Sequence, residues 1–239
     1  MSLPAIDAIP EPTPPQRRGL RLILDVIVAP KQAFASIAAT REWLPAFFIV
    51  SVLGFAGSLM LGPALQHVIA AEVAADPSAA HAGPADVARL AGYEVAGQVV
   101  WQIIGSLMLW LWTAVILTAV SGAGPSSFRV YFSLAANTAI PASIGFFVLA
   151  LVISLHDPSG YANFSALNRA LPDNLAFFAP GESERGVSFL ASFDLFGLWS
   201  SLLLAFGLRA IGKVDLFWAL VTAFSLWLAY AVVQTIPGL

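Results

Sequence analysis

The chain has 239 residues, of which 59% are hydrophobic and 10% charged, against about 25% charged in an average soluble domain. So few charges cannot cover a water-soluble fold of this size, and the apolar runs approach the roughly 20 residues that cross a bilayer, so the chain reads as an integral membrane protein. A net charge of −3 with 11 scattered Lys and Arg offers no basic face for nucleic acid, and the absence of cysteine excludes disulfides, thiolate metal sites and cysteine nucleophiles.

Residues 1–18 open with MSLPAIDAIPEPTPPQ, which carries five prolines and no apolar run; such a segment cannot bury a core and is expected to be a disordered tail. The following QRRGLRLILDVIVAP imitates a signal peptide, but Arg21 and Asp25 interrupt it and APKQAFASIA offers no clean cleavage site. Within 19–38, Pro30 is placed to open a helix, and Phe34 and Ile37 follow at helical spacing. Two readings stand for this stretch. One is an interfacial amphipathic helix with Arg21 and Lys31 toward anionic lipid; the other is a linker packed under the bundle.

Hydropathy places five spans at about 43–64, 96–120, 131–155, 188–210 and 215–236. Residues 19–239 thus form one all-α membrane bundle with its termini on opposite sides. Arg17, Arg18, Arg21, Lys31, Arg41, Arg129, Arg209 and Lys213 fall on one side, and Arg89, Arg169 and Arg185 on the other. Because Lys and Arg resist translocation, the amino terminus is expected in the cytoplasm and the carboxyl terminus outside, in the cytoplasmic membrane. The two outer connections, 66–95 and 156–187, are long. PADVARLAGYE in the first has the makings of a small helix, and the turn-rich second is expected to fold back as a structural cap.

Several residues inside the spans call for a physical account. Gly54, Ser58 and Gly62 form a small-residue row in the first span, which suits close helix contact. Pro141 in the third removes a helical amide, and Asn137 and Thr138 lie one turn earlier to compensate. Trp43 and Trp218 suit a membrane interface, whereas Trp110, Trp112, Trp199 and Trp227 fall deeper, as packing residues.

Asp194 is the sharpest case. If the fourth span begins near Ser188, this carboxylate lies about 9 Å into the membrane, where an aspartate costs roughly 2.5–3.5 kcal/mol and should face protein. Gly197, Ser201 and Ala205 continue its face as a helix-packing seam. Gln98 and Gln102 in the second span, and Gln234 near the end of the fifth, are the expected partners in an intramembrane polar cluster. The structural alternative is a hydrogen-bonded latch, or a capping carboxylate if the helix starts at Leu195.

No HExxH, GxSxG or phosphate-cradling glycine loop occurs. His67, His81 and His156 lack ligand spacing, so no metal and no cofactor are expected, and neither are catalytic residues. Asn163 begins an NFS sequon in an outer connection.

Pro30 to Phe34 with its KQAF sequence, EWLP at the start of the first span, and FDLFGLWSSLLLAFGL with a basic turn after it together resemble the Yip1-domain membrane proteins, particularly their bacterial branch. The resemblance covers about 20–239. It implies a five-span helical protein without known catalysis, whose eukaryotic relatives interact with small GTPases. DLFG at 194–197 is loosely similar to a DLYG-type motif of those relatives but stands late in this chain, so no GTPase-binding role is carried onto it. The expectation is a non-enzymatic protein acting through helix-mediated assembly, as a homo-oligomer or with a membrane protein partner, beside the lipid bilayer itself. The competing expectation is a small transporter or channel that uses the Asp194 cluster.

Overall fold

The computed structural model describes residues 18–75 and 83–235. The tail expected over 1–18 lies outside the described residues except for Arg18, as does His81.

The described fold is all-α, with five segments long and apolar enough to cross a membrane: Leu44–Ala75, Pro84–Val120, Phe128–Ser154, Leu195–Gly212 and Leu216–Val233. Two short helices precede them, α1 (Leu20–Val28) and α2 (Pro30–Thr40). Pro30 has no amide to continue α1 but suits the first turn of α2. The juxtamembrane stretch is therefore two helices rather than one.

The first span is α3 (Leu44–Ala75), 32 residues long. Residues 66–75, expected in a connection, instead extend this helix, and the second segment starts at Pro84 rather than near 96. The first extension holds four alanines and the second three, and alanine keeps a helix propagating after the apolar run has ended. The second segment comprises α4 (Pro84–Val100), one π-helical turn over Trp101–Gly105, and α5 (Ser106–Val120). The third breaks at Ala139 into α6 (Phe128–Thr138) and α7 (Ile140–Ser154). Pro141 supplies the reason, since it cannot donate to Asn137 one turn earlier. Just beyond the break, the Ala142 amide donates to Ser200 Oγ at 3.0 Å.

Between the third and fourth spans lie α8 (Phe164–Asn168) and α9 (Glu184–Ala191), followed by α10 (Leu195–Gly212) and α11 (Leu216–Val233). The fourth span thus starts seven residues later than 188, and Asp194 precedes it instead of lying inside it.

α6 is the central element. All its residues from Val130 to Thr138 except Phe132 are buried, and it touches α1, α2, α3, α5, α7 and α10. Close approach runs through small residues. A Cβ at Gly57 would come within 2.7 Å of the Phe146 ring, and one at Gly145 within 2.7 Å of Phe196, so a phenylalanine of α7 seats on the backbone of α3 and one of α10 on that of α7. Gly207 of α10 opens space for Leu134 and Phe34, which brings α2 under the bundle. The end that holds α1 and α2 is called the near end here, and the opposite one the far end.

Candidate functional site

At the near end, Arg41 ends α2 in the left-handed region (φ 56°) and turns the chain toward α3. Glu42 then ties three elements together. Its carboxylate accepts the Gly19 amide at 3.0 Å and faces Arg18 Nε at 3.7 Å. Its carbonyl accepts Ser133 Oγ at 2.5 Å and Asn137 Nδ2 at 2.9 Å. Asn137 also donates to the Ser133 carbonyl at 2.8 Å. Ser133 and Asn137 are fully enclosed, so these bonds offset the cost of polar groups removed from water.

Four rings close around this node. Trp43 meets Phe47 and Phe132 edge-on at centroid separations of 5.9 and 5.3 Å, and Trp110 meets the same two at 6.2 and 6.3 Å. Edge-to-face pairs at such distances add stabilisation beyond the area they bury. Trp110 is a packing residue as expected, but Trp112 is 65% exposed and faces outward from the bundle.

α1 lies against this end with one face only. Leu22, Ile23 and Val26 are buried, whereas Leu20, Leu24 and Val28 are 66%, 61% and 75% exposed. The exposed three recur every four residues and form one stripe.

At the far end, the connection after α7 clamps onto the start of α10. The Leu195 amide donates to the Asp173 carbonyl at 3.0 Å and the Leu175 amide to the Phe193 carbonyl at 3.2 Å, with Asn174 and Asp194 in an isolated antiparallel bridge. Asn174 is buried; its amide donates to the Asn168 carbonyl and its oxygen caps the turn at Phe177. Arg169 donates to the carbonyls of Ala176 and Ala179 at 3.1 and 2.9 Å. The connection therefore folds back over the bundle as expected.

Asp194 accepts the Gly197 amide through Oδ1 at 2.7 Å, which is N-cap geometry. Burial raises its pKa above the ordinary value; the Gly197 bond opposes this, and the nearby Asp173 charge reinforces it. Beside it, Trp227 Nε1 donates to the Ser192 carbonyl at 2.8 Å.

The structure divides the expected polar residues between separate places. Gln102 lies against α3, where a Cβ at Gly54 would be 2.9 Å from its Cβ and Cγ. Gln98, one turn earlier, buries its amide oxygen without a hydrogen-bond partner, and Ser58 Oγ is in the same condition. Gln234 follows α11 on an exposed stretch, and its backbone amide donates to the Tyr230 carbonyl at 3.1 Å. Gln102 is thus seated on α3, while Asp194 engages the far-end connection and α10. Gly197, Ser201 and Ala205 are all buried, as are Gly54 and Ser58; Gly62 is half-buried, with only Val95 Cγ2 at 3.8 Å from an added Cβ.

Sequence reasoning missed Glu42 and Ser133, and took Asn137 only as compensation for the proline. The available signal was Ser133 and Asn137 at i and i+4 in an apolar run, which puts both on one face. Among the described residues no group of three or more His, Asp or Glu is placed to hold a metal ion.

Five membrane-length apolar segments, the third of which supplies the buried central helix, with a docked helix pair at one end, define a multi-pass α-helical membrane protein. The family model of the Yip1 domain matches residues 24–236, and the chain belongs to that family. Comparison with characterised proteins and with solved structures gives no significant match.

Proposed function

We propose that this Yip1-domain protein is a non-enzymatic membrane component that works through assembly, with the α1–α2 layer as the surface a protein partner meets. The observation that carries this reading is the exposed stripe of Leu20, Leu24 and Val28 on a helix whose opposite face is already buried in the bundle. An apolar stripe on a short, fixed helix is suited to receive a partner helix or a second copy of the chain. The excess of Lys and Arg in the segments at this end supports a cytoplasmic position for it, and the proposed partner is one met on the cytoplasmic face of the inner membrane.

The absence of native cysteine makes a direct test available. Leu24→Cys, treated with a short thiol crosslinker in native membranes, should give one discrete protein adduct, and Leu22→Cys, which is buried, should give none. Adducts with neither, together with a monomer in mild detergent, contradict the reading.

A second reading, a transporter or channel working through Asp194 with Gln98, Gln102 and Gln234, draws support from the raised pKa of a half-buried carboxylate beside Asp173. Asp194-dependent flux in proteoliposomes is the result that would favour it.

A further inference from the structure

α11 is the least buried of the five spans. It packs along α10, but on its other side it stands off from α5 and leaves a groove of about 630 Å³. Cavities of roughly 300–1,000 Å³ are ligand-sized. The walls are Ile116 and Val120 of α5 and Trp218, Val221, Leu226 and Ala229 of α11, with two hydroxyls, Thr222 and Ser225. Thr222 spends its proton on the Trp218 carbonyl at 2.8 Å, so the groove offers almost nothing to a polar solute.

Its position says more. One end opens where α5 stops at Val120, α10 stops at Gly212 and α11 begins at Leu216, and Val214 of the connecting turn lines it there. Lipid-exposed turns do not occur within the hydrocarbon region, so this mouth is assigned to the level of the lipid headgroups. Trp218, 60% exposed, stands at that mouth, as an interfacial tryptophan does. From Trp218 the groove follows α11 toward Ala229, about 16 Å into the span at 1.5 Å per residue.

The charge at the mouth is also uneven. Arg209, in the last turn of α10, and Lys213, in the connecting turn beside Val214, are both exposed. In the same turn Asp215 caps α11 through the Phe217 amide at 2.8 Å, which sets one acid against two bases along 209–215. An apolar trough along a span, with a tryptophan and two cations at its headgroup end, is complementary to a lipid with one negative charge.

We infer that the groove between α5 and α11 holds one acyl chain of an anionic phospholipid, with the headgroup at Lys213 and Arg209. This is independent of the partner reading, because it uses neither α1 nor α2.

The test uses the full chain reconstituted in vesicles of phosphatidylcholine and phosphatidylglycerol, then examined by native mass spectrometry after transfer to mild detergent. The inference expects one retained phosphatidylglycerol per chain. Filling the groove with Ser225→Phe and Ala229→Phe should lower that occupancy about tenfold, which corresponds to about 1.4 kcal/mol. Lys213→Glu should abolish the preference for phosphatidylglycerol over phosphatidylcholine without filling the groove, and because it changes only an exposed side chain it serves as the control for misfolding. Equal retention by wild type and both variants overturns the inference, as does no retained lipid at all. So does efficient disulfide dimerisation of Ser225→Cys in membranes, which would give the groove to a second copy.

Discussion

The two ends of the bundle each carry a layer that does not span, and they hold it by different means. At the near end, α1 and α2 are tied in by buried groups, with Ser133 and Asn137 reaching out of the central helix to one carbonyl of Glu42. At the far end, Arg169 and buried Asn174 brace the 156–193 connection from within and Trp227 bonds its Ser192 carbonyl, but its join to the start of α10 rests on two backbone bonds and the Asp194 cap, with Asp194 half-buried at the edge. The lesson is that the same chemistry, a donor given to an oxygen, has different weight according to what surrounds it. Loss of a donor inside leaves a polar atom without water, whereas at the rim water can replace it.

The sharpest way to break the comparison is Asn137→Leu. It removes the amide that serves both the Glu42 and Ser133 carbonyls, and should cost about 3 kcal/mol of stability, read as a lowered midpoint of thermal unfolding in mild detergent. Next comes Gly145→Leu, which forces a side chain into the Phe196 ring and should cost about 2 kcal/mol by overpacking. This variant sits between the two ends and should loosen α7 from α10 without regard to either layer.

At the far end, Asp194→Ala should cost only about 1 kcal/mol, the usual loss for a missing N-cap. Asp194→Asn keeps a capping oxygen and removes a partly buried charge, so at neutral pH it should match or exceed the wild type. The pH dependence follows from the raised pKa of Asp194. The folded chain retains a proton that the unfolded chain has released, so this group's contribution is full below the ordinary carboxylate value of about 3.9. It is lost as pH rises through the raised folded value, and Asp194→Asn should flatten that part of the stability profile. The smallest effect is expected for Gly62→Ala, within about 0.5 kcal/mol, because a methyl group there meets only Val95 at 3.8 Å.

These contrasts also mark what the sequence could convey. The five spans were legible because lipid demands long apolar runs and backbone groups satisfied within the segment. The break near Pro141 was legible for the same local reason. The start of α10 was not: VSFLASF is as apolar as the span behind it, so hydropathy passes over the turn at Ser192 and Phe193. The cue was Asp194 itself, a capping residue three positions before the Gly197 amide it receives. Gln98 and Gln102 were legible as polar residues on one helical face, but the seat of Gln102 against Gly54 depends on how α3 packs on the second segment, which no local pattern encodes. Glu42 was out of reach for a similar reason, since its donors lie 91 and 95 positions away.

α1 and α2 are a fixed part of the bundle, held at Glu42. Amide hydrogen exchange across residues 20–40 of the full chain in lipid nanodiscs tests this most directly. Protection of these amides should approach that of α6 and collapse in Asn137→Leu while α3 and α7 stay protected. Rapid exchange of the segment in the wild type would contradict the account.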